Sequence, residues 1–210
     1  MEIDAAFPAP GLVVWQPKRG YRYGVEVYVL AHFALRIPAK RVVDLGGGSG
    51  VISLLMAAQG AQVTMLERES AWVELARRSV TESKMEGRVT VEEADVRTWQ
   101  GSADLVVTNP PWFPAEQPRS PDVLKAAARS MINGSVEDFA AAGLRIAPRV
   151  CLVTRPERAA ELAARGWAGG ACARRARVGD KLVLLELRRE PTKLVEEIAE
   201  VEAAYERWGV

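Results

Sequence analysis

The stretch that decides the fold is VVDLGGGSGVISLL, residues 42–55, where a short apolar run leads through glycines into a second apolar run. The first run is short and β-branched, as in a buried strand. The second, continued to Gly60, has the length and spacing of a helix. Gly46, Gly48 and Gly50 lie between them. Glycines at such a junction permit a tight turn, let a ligand approach the backbone and leave helix N-terminal N–H groups available.

The alternation of strand and helix patterns continues along the chain. Strand patterns recur at AQVTMLER, RVTVEEAD, ADLVVTN and RVCLVTR, beginning at residues 61, 88, 103 and 149, with helix patterns at ESAWVELARRSVTESKMEG and PERAAELAARG, beginning at 69 and 156. ACARRARV and DKLVLLELRR flank Gly179-Asp180 and predict an antiparallel hairpin. The pattern predicts an α/β fold with a mostly parallel sheet and helices on both faces.

Three parts of the chain differ in pattern. Residues 1–40 predict an extension of short strands and a helix on the substrate side, and residues 41–190 predict the core of the fold. Residues 191–210 predict a C-terminal amphipathic helix packed on that core. Its apolar face consists of Leu194, Ile198, Val201, Tyr205 and Trp208. The alternative for this face is a dimer contact, although we favour a monomer.

Composition narrows the classes of function. A chain of 210 residues with a formal net charge of +1 indicates one ordinary globular domain, so any surface that binds RNA must be local. Cys151 and Cys172 form no CxxC pair, and we expect neither a disulfide nor a metal ion. There is no apolar run of about 18 residues and no basic segment leading into an apolar one, so we expect a cytoplasmic protein without a membrane span.

The glycine loop distinguishes between two cofactor classes. A dinucleotide fingerprint would have a glycine at position 51, where valine stands. The spacing Asp-x-Gly-x-Gly-x-Gly from Asp44 instead resembles the first motif of class I S-adenosylmethionine-dependent methyltransferases. This resemblance implies a Rossmann-like class I methyltransferase fold, with a mostly parallel seven-stranded sheet and an antiparallel C-terminal hairpin. It also implies S-adenosylmethionine as cofactor and S-adenosylhomocysteine as product.

Acidic residues end the predicted strands beside this loop. A single strand-terminal acid is commonly a helix cap or part of a solvated loop, but three in register with a glycine loop favour a ligand site. By the resemblance, Glu67 accepts from the ribose hydroxyls, Asp95 accepts from the adenine amino group, and Asp44 holds the loop or the methionine ammonium. The expected cofactor-binding residues are Asp44, Gly46, Gly48, Gly50, Glu67, Arg68, Asp95, Val96 and Asn109.

The predicted strand at residues 103–109 runs into TNPPWF, residues 108–113. Pro110 and Pro111 stiffen the chain and remove two backbone donors. The Asn109 side-chain oxygen and the Pro110 carbonyl therefore form a rigid pair of acceptors suited to an NH₂ group, while Trp112 offers a flat stacking surface. The tetrad resembles the (Asn/Asp/Ser)-Pro-Pro-(Tyr/Phe/Trp) motif of methyltransferases that act on amino groups. The expected catalytic residues are Asn109, Pro110, Pro111 and Trp112, and the lone histidine, His32, is expected to be structural.

The segment QPKRGYRYGVEVYVLAHF, residues 16–33, suggests which amine is methylated. It resembles the N-terminal signature of the bacterial tRNA (adenine-N6) methyltransferases that modify the adenosine beside the anticodon of a valine tRNA. The departures are Glu26 in place of Asp, Trp112 in place of Tyr, and RIAPR in place of a Lys-Pro-Gly-Gly turn. The resemblance implies substrate binding by Lys18, Arg19, Tyr21, Arg22, Glu26, Phe113 and Arg129.

The resulting hypothesis is an enzyme that forms N6-methyladenosine in RNA, with tRNA as partner. Tyr21, Tyr23, Trp112 and Phe113 are available to stack an extruded base. Basic residues of the late strands either follow RNA phosphates or form ordinary solvated faces: Arg174, Arg175, Arg177, Lys181, Arg188 and Arg189. Two alternatives stay open, namely methylation of another RNA amine or of a protein glutamine side chain, and a binding protein of the same fold that has lost catalysis.

Overall fold

A computed structural model describes residues 2–111 and 134–210. The strands of these ranges are β1 (Ile3–Ala6), β2 (Val14–Pro17), β3 (Arg41–Leu45), β4 (Gln62–Glu67), β5 (Val89–Glu93), β6 (Leu105–Thr108), β7 (Arg149–Thr154), β8 (Ala171–Val178), β9 (Leu182–Arg188) and β10 (Val195–Ile198). The helices are α1 (Val25–Ala34), α2 (Val51–Ala58), α3 (Ser70–Glu82), α4 (Val136–Ile146), α5 (Pro156–Ala164) and α6 (Val201–Trp208), with a 3₁₀ turn at Trp167–Gly169.

Eight of these strands form one sheet, in the order β10-β8-β9-β7-β6-β3-β4-β5. All neighbours are parallel except β9, which runs antiparallel to both β7 and β8. The α/β prediction and its C-terminal hairpin are therefore confirmed. The expected count of seven strands is wrong by one, because β10 adds a parallel strand beside β8.

The C-terminal tail also differs from the prediction of one helix. β10 pairs with Arg174–Arg177 of β8, so the helix begins only at Val201. Two arginines of β8 face two glutamates of β10, with Arg175–Glu196 and Arg174–Glu197 at 3.7 Å, and this complementarity favours a strand at the open edge. Leu194 and Ile198 are 40% and 81% exposed, whereas Trp208 is 3% exposed within the core beside α1.

The order of the strands brings four of their carboxyl ends together. β6, β3, β4 and β5 are consecutive and parallel, so the residues that follow each of them meet at one edge of the sheet. Residues of β3 on both faces are buried, including Val42 and Val43, because helices cover the sheet on each side. Open α/β sheets bind ligands at this carboxyl edge.

The strand pair β1–β2 is fastened to α3 rather than to the main sheet. The backbone N–H groups of Val13 and Trp15 donate to the hydroxyls of Ser83 and Ser79, each at 2.9 Å. The Arg78 guanidinium lies 3.4 Å from the centre of the Trp15 ring. The chain that leaves β2 therefore starts from a fixed position against α3, and Tyr21 a few residues later contacts Trp72 near the beginning of that helix.

Candidate active site

A cleft opens where the strand ends meet. Its lining combines the glycine loop, the ends of β4, β5 and β6, and the segment between β2 and α1. Nine residues that the sequence predicted for the site line it: Tyr21, Gly46, Gly48, Glu67, Arg68, Asp95, Val96, Asn109 and Pro111. Trp112, Phe113 and Arg129 lie outside the described residues. One cleft thus brings together residues predicted for the cofactor and for the amine.

The glycine loop needs glycine for its backbone conformation. Gly46, Gly48 and Gly50 have φ of 68°, 56° and 86°, in the left-handed region that disfavours a side chain. A Cβ at Gly46 would also lie 2.9 Å from the Phe139 ring. The N–H groups of Gly46 and Gly47 both donate to the Leu66 carbonyl at the end of β4. The loop is therefore tied to the neighbouring strand as a preformed turn.

Glu67 joins this loop to the end of β4. Its Oε2 accepts from the N–H of Gly48 at 3.0 Å, while Oε1 accepts from the N–H groups of Arg68 and Glu69 at 2.7 and 3.0 Å. The side chain is buried, and burial raises its pKa while these three amides oppose that shift. Its carboxylate is held in one position on the wall of the cleft.

Asp44 lies in the core at the end of β3 and does not line the cleft. Its Oδ2 accepts from the hydroxyl of Ser53 in α2 at 2.7 Å. Its Oδ1 has no hydrogen-bond partner among the residues that the structure describes. Complete burial raises the pKa of Asp44 to about 7. A carboxyl group in this state responds strongly to any positive charge that a ligand brings near it.

The pKa of Asp44 predicts a pH dependence of stability. Between its ordinary value of 3.8 and about 7, folded Asp44 keeps a proton that the unfolded chain has lost. The free energy of unfolding should therefore fall as pH rises through this interval and level off above it. Asp44→Asn should not show this component. Denaturant unfolding of both proteins at several pH values measures the difference, and profiles that run parallel would contradict the assignment.

Asp95 has partners that the sequence analysis did not foresee. Its carboxylate accepts from the backbone N–H of Arg97 at 2.9 Å and from the Arg97 guanidinium, and Arg68 lies 3.7 Å away. The hydrogen bond from the Arg97 side chain is the main cause that lowers the pKa of Asp95 to about 2. The Asp-x-Arg spacing was the available signal, since aspartate commonly binds the backbone two residues on.

Arg145 of α4 holds the turn that carries Asp95 and Val96. Its Nη2 donates to the carbonyls of Val96 and Arg97 at 3.0 and 3.2 Å, and its Nη1 donates to the carbonyl of Trp99. These are the free carbonyls of a single helical turn, in which the N–H of Trp99 bonds the Asp95 carbonyl. No local sequence pattern links residue 145 to this turn, so this contact could not be predicted from the sequence.

Arg145→Lys is expected to loosen the turn, because an ammonium group cannot span three carbonyls as a guanidinium does. We expect the affinity for S-adenosylmethionine, the cofactor that the resemblance of the glycine loop implies, to fall roughly tenfold, the size of about one lost hydrogen bond. Isothermal calorimetry measures it. Arg165→Lys is the matched control, since that exposed side chain pairs with Glu137 away from the cleft. Equal affinity in both variants would exclude this role for Arg145.

Asn109 follows β6 at the rim of the cleft. The preceding Thr108 is buried, and its hydroxyl donates to the Leu45 carbonyl of β3 at 2.8 Å. Asn109 Nδ2 donates to the Tyr21 hydroxyl at 3.3 Å, and Pro110 and Pro111, which follow it, are buried. The backbone at Asn109 is thus fixed on both sides, and the amide side chain faces the segment between β2 and α1.

The basic residues predicted to bind RNA fall into two groups. Lys18 and Arg22 lie beside β1, with Lys18–Glu2 at 3.8 Å and Arg22–Asp4 at 2.8 Å, and Arg19 is exposed. Most of the basic residues in or next to β8 and β9 form ion pairs or hydrogen bonds within the fold. Arg174 and Arg188 bind the buried Glu186, Arg175 pairs with Glu196, and Arg189 donates to the carbonyls of Leu144 and Arg145. The late strands therefore lend less support to RNA binding than the segment before α1.

The family described as the methyltransferase small domain matches residues 26–145, which include the glycine loop, the strand-terminal acids and the Asn-Pro-Pro segment. The chain belongs to this methyltransferase family. The part of the chain described by the structure has no helix long and apolar enough to cross a membrane, and no cluster of three or more His, Cys, Asp or Glu side chains that could hold a metal ion.

Individual methyltransferases extend the comparison. The tRNA1(Val) (adenine(37)-N6)-methyltransferase of Tolumonas auensis is 32% identical over 196 residues, covering 87% of this chain and 82% of the relative. The ribosomal protein L11 methyltransferase of Desulfitobacterium hafniense is 31% identical over 109 residues, 49% of this chain and 35% of the relative. Magnesium protoporphyrin IX methyltransferase from Synechocystis PCC 6803, solved with bound SAM, shares the fold at a TM-score of 0.57 and 20% identity over 78% of each chain.

Proposed function

We propose that this methyltransferase transfers a methyl group from S-adenosylmethionine to the exocyclic N6 of an adenosine in RNA, with tRNA as the expected substrate. The observation that carries the proposal is the position of Asn109, whose amide lies on the same cleft as Glu67 and the glycine loop. A group that can accept from an amine therefore lies beside a wall that can hold an adenosyl cofactor. As an enzyme that acts on tRNA, the protein is expected in the cytoplasm.

The residues of the cleft fit S-adenosylmethionine. The loop has left-handed φ values at Gly46 and Gly48, and a Cβ at Gly48 would meet open space, so a ligand can approach the bare backbone there. Glu67 keeps one unused lone pair for a ribose hydroxyl, because a carboxylate can accept about four hydrogen bonds and three are taken. Asp44 lies behind the loop with an unpartnered Oδ1, and the methionine ammonium would lower its raised pKa and so favour the charged carboxylate.

Arg97 and Arg68 occupy the Asp95 carboxylate, so recognition of the adenine depends on the backbone of this turn as well as on the aspartate. Arg145 binds the Val96 carbonyl and so fixes this turn, and in the proposal the Val96 N–H donates to a ring nitrogen of the adenine. In this proposal Asp95 orients the turn through Arg97 and accepts from the adenine amino group with its remaining lone pairs.

S-adenosylmethionine supplies a methyl group that is activated by its bond to a sulfonium sulfur. An exocyclic amine is a weak nucleophile because its lone pair is delocalised into the ring. Hydrogen bonds from its two protons to Asn109 Oδ1 and the Pro110 carbonyl localise that pair on nitrogen and aim it along the line of attack. The nitrogen gains the methyl carbon, sulfur keeps the bonding pair, and one amine proton passes to water. No strong base is needed.

The similarity to the tRNA1(Val) methyltransferase supports RNA as the substrate. The exposed Lys18 and Arg19, in the segment between β2 and α1, support contact with phosphates. The similarity to the ribosomal protein L11 methyltransferase supports a protein acceptor as the second candidate. A decisive assay incubates the protein with methyl-labelled cofactor and either unmodified tRNA or a ribosomal protein fraction.

Digestion of the tRNA to nucleosides should then give labelled N6-methyladenosine. A label in another nucleoside would keep the enzyme class and replace the target atom. A label only in protein would select the second candidate, and calorimetric binding of the cofactor without transfer to either acceptor would select a binding protein that lacks catalysis.

A further inference from the structure

We propose that the Tyr21 hydroxyl, itself held by Glu26, determines which end of the Asn109 carboxamide faces the cleft. Tyr21 would then be a positioning residue for methyl transfer, rather than only a surface on which the target base stacks. The inference rests on the proposed function, because it concerns how Asn109 presents an acceptor to an amine.

The contacts form a chain of three side chains. Asn109 Nδ2 donates to the Tyr21 hydroxyl oxygen at 3.3 Å. The Tyr21 hydroxyl lies 3.5 Å from Glu26 Oε1, to which it donates. The same Oε1 accepts from the backbone N–H of Gly24 at 2.9 Å. The chain runs from the rim of β6 to the first turn of α1, and so joins two of the walls of the cleft.

The polarity of this chain follows from its end. A carboxylate accepts and cannot donate, whereas a tyrosine hydroxyl has one hydrogen and two acceptor positions. When that hydrogen points to Glu26, the hydroxyl oxygen can only accept from Asn109. The carboxamide must then turn its NH₂ group to Tyr21, which leaves Oδ1 for the cleft. An amide flipped by 180° would present two hydrogens to an amine that also has hydrogens to donate, and the acceptor required for catalysis would be lost.

Rotation of the side chain is the freedom that Asn109 retains. The residue before Asn109, Thr108, is anchored to β3 by its hydroxyl, and Pro110 and Pro111 restrict the backbone after Asn109. The two ends of a carboxamide are nearly equal in size, so packing alone cannot select between its two orientations. A hydrogen-bond partner of defined polarity can select one, and Tyr21 is placed to do so.

Tyr21 and Glu26 are themselves held in place. The Tyr21 ring meets Trp72 edge to face, with ring centres 6.2 Å apart and planes at 79°, and Trp72 is buried in α3. Gly24 leaves space for the Glu26 carboxylate, since a Cβ there would lie 2.7 Å from Glu26 Oε2. The Tyr21 hydroxyl is therefore held in place by contacts with two helices, α1 through Glu26 and α3 through Trp72.

Tyr21→Phe keeps the ring and its contact with Trp72 but removes the hydroxyl. We expect kcat for methyl transfer to fall roughly tenfold, as for a lost hydrogen bond to a positioned group, with KM for RNA and Kd for the cofactor changed by less than about twofold. Tyr205→Phe removes a tyrosine hydroxyl from α6, away from the cleft, and should leave kcat unchanged. A rise in KM with unchanged kcat would show that Tyr21 serves only to bind the base.

The Asn109→Asp background separates orientation from a general structural role. Both ends of an aspartate accept, so there is no wrong end for Tyr21 to exclude. Tyr21→Phe should then cost less than about twofold in single-turnover rate on this background, against roughly tenfold with Asn109 present. The same tenfold loss on both backgrounds would overturn the proposal.

Glu26→Gln tests the far end of the chain independently of residue 109. A glutamine can donate to the Tyr21 oxygen as well as accept from it, so the polarity is no longer imposed. The variant should lose rate, and Tyr21→Phe combined with it should lose no more than Tyr21→Phe alone, whereas multiplied losses would exclude a shared chain. If the wild-type protein transfers a methyl group neither to tRNA nor to the ribosomal protein fraction, the proposed function is refuted. An active wild type with an unaffected Tyr21→Phe would refute only this inference.

Discussion

Asn109→Ala is expected to lower the rate of methyl transfer by roughly 100- to 1000-fold, the size seen when one preorganised group that acts on the reacting atoms is removed. The reason is that the amine loses the acceptor that localises its lone pair, while the Pro110 carbonyl alone cannot hold both protons. Single-turnover kinetics with saturating cofactor measure this rate directly, without a contribution from product release.

The same variant should bind the cofactor with nearly unchanged affinity, because the walls formed by the glycine loop, Glu67 and the Val96 turn are intact. Gln59→Ala provides a matched control, since it removes an exposed amide at the end of α2 that contacts Arg207 and not the cleft. Loss of cofactor binding in Asn109→Ala would contradict the division between the cofactor wall and the amine site.

Glu67→Gln is expected to weaken cofactor binding roughly 100-fold, because the hydrogen bond expected from the ribose is stronger to a charged acceptor than to a neutral one. The substitution has a second effect in this structure. Both carboxylate oxygens accept from backbone N–H groups, so the NH₂ group of a glutamine must face a backbone donor. The glycine loop should therefore loosen together with the ribose contact.

Calorimetry with S-adenosylhomocysteine measures this affinity without turnover, and thermal unfolding reports the loss of stability. Glu93→Gln is the control, because Glu93 lies opposite Glu67 in the register of β4 and β5 and is exposed. An affinity of Glu67→Gln equal to that of the control would place the ribose elsewhere in the cleft.

The elements that the sequence predicted are those whose cause is local. A β-branched run before Gly46 makes a strand, left-handed φ values require the glycines, and the prolines after Asn109 end β6. These local causes, combined with the order of the strands, were sufficient to place Glu67, Asp95 and Asn109 at one edge of the sheet. Their proposed roles at the cleft await the experiments above.

The features that escaped prediction depend on partners distant in sequence. The Arg145 clamp joins α4 to a turn almost fifty positions earlier, and β10 forms because β8 presents arginines at an open edge. Helical periodicity at residues 194–208 was genuine but weaker than this pairing, since a tertiary partner overrides local propensity. The contact between the Tyr21 hydroxyl and Asn109 was missed for a similar reason, because Asn109 is 88 positions away in sequence.

The attachment of β1–β2 to α3 has a practical consequence for engineering. The hydroxyls of Ser83 and Ser79 accept from the N–H groups of Val13 and Trp15, respectively, and α3 begins three residues after Glu67. The segment before α1, which is proposed to bind the substrate, is thus fixed by hydrogen bonds to α3, the helix that follows Glu67. A chimaera in which residues 1–40 come from another methyltransferase therefore also needs the residues of that enzyme that correspond to positions 79 and 83. Without them, we expect the transplanted segment to be displaced relative to the cofactor site.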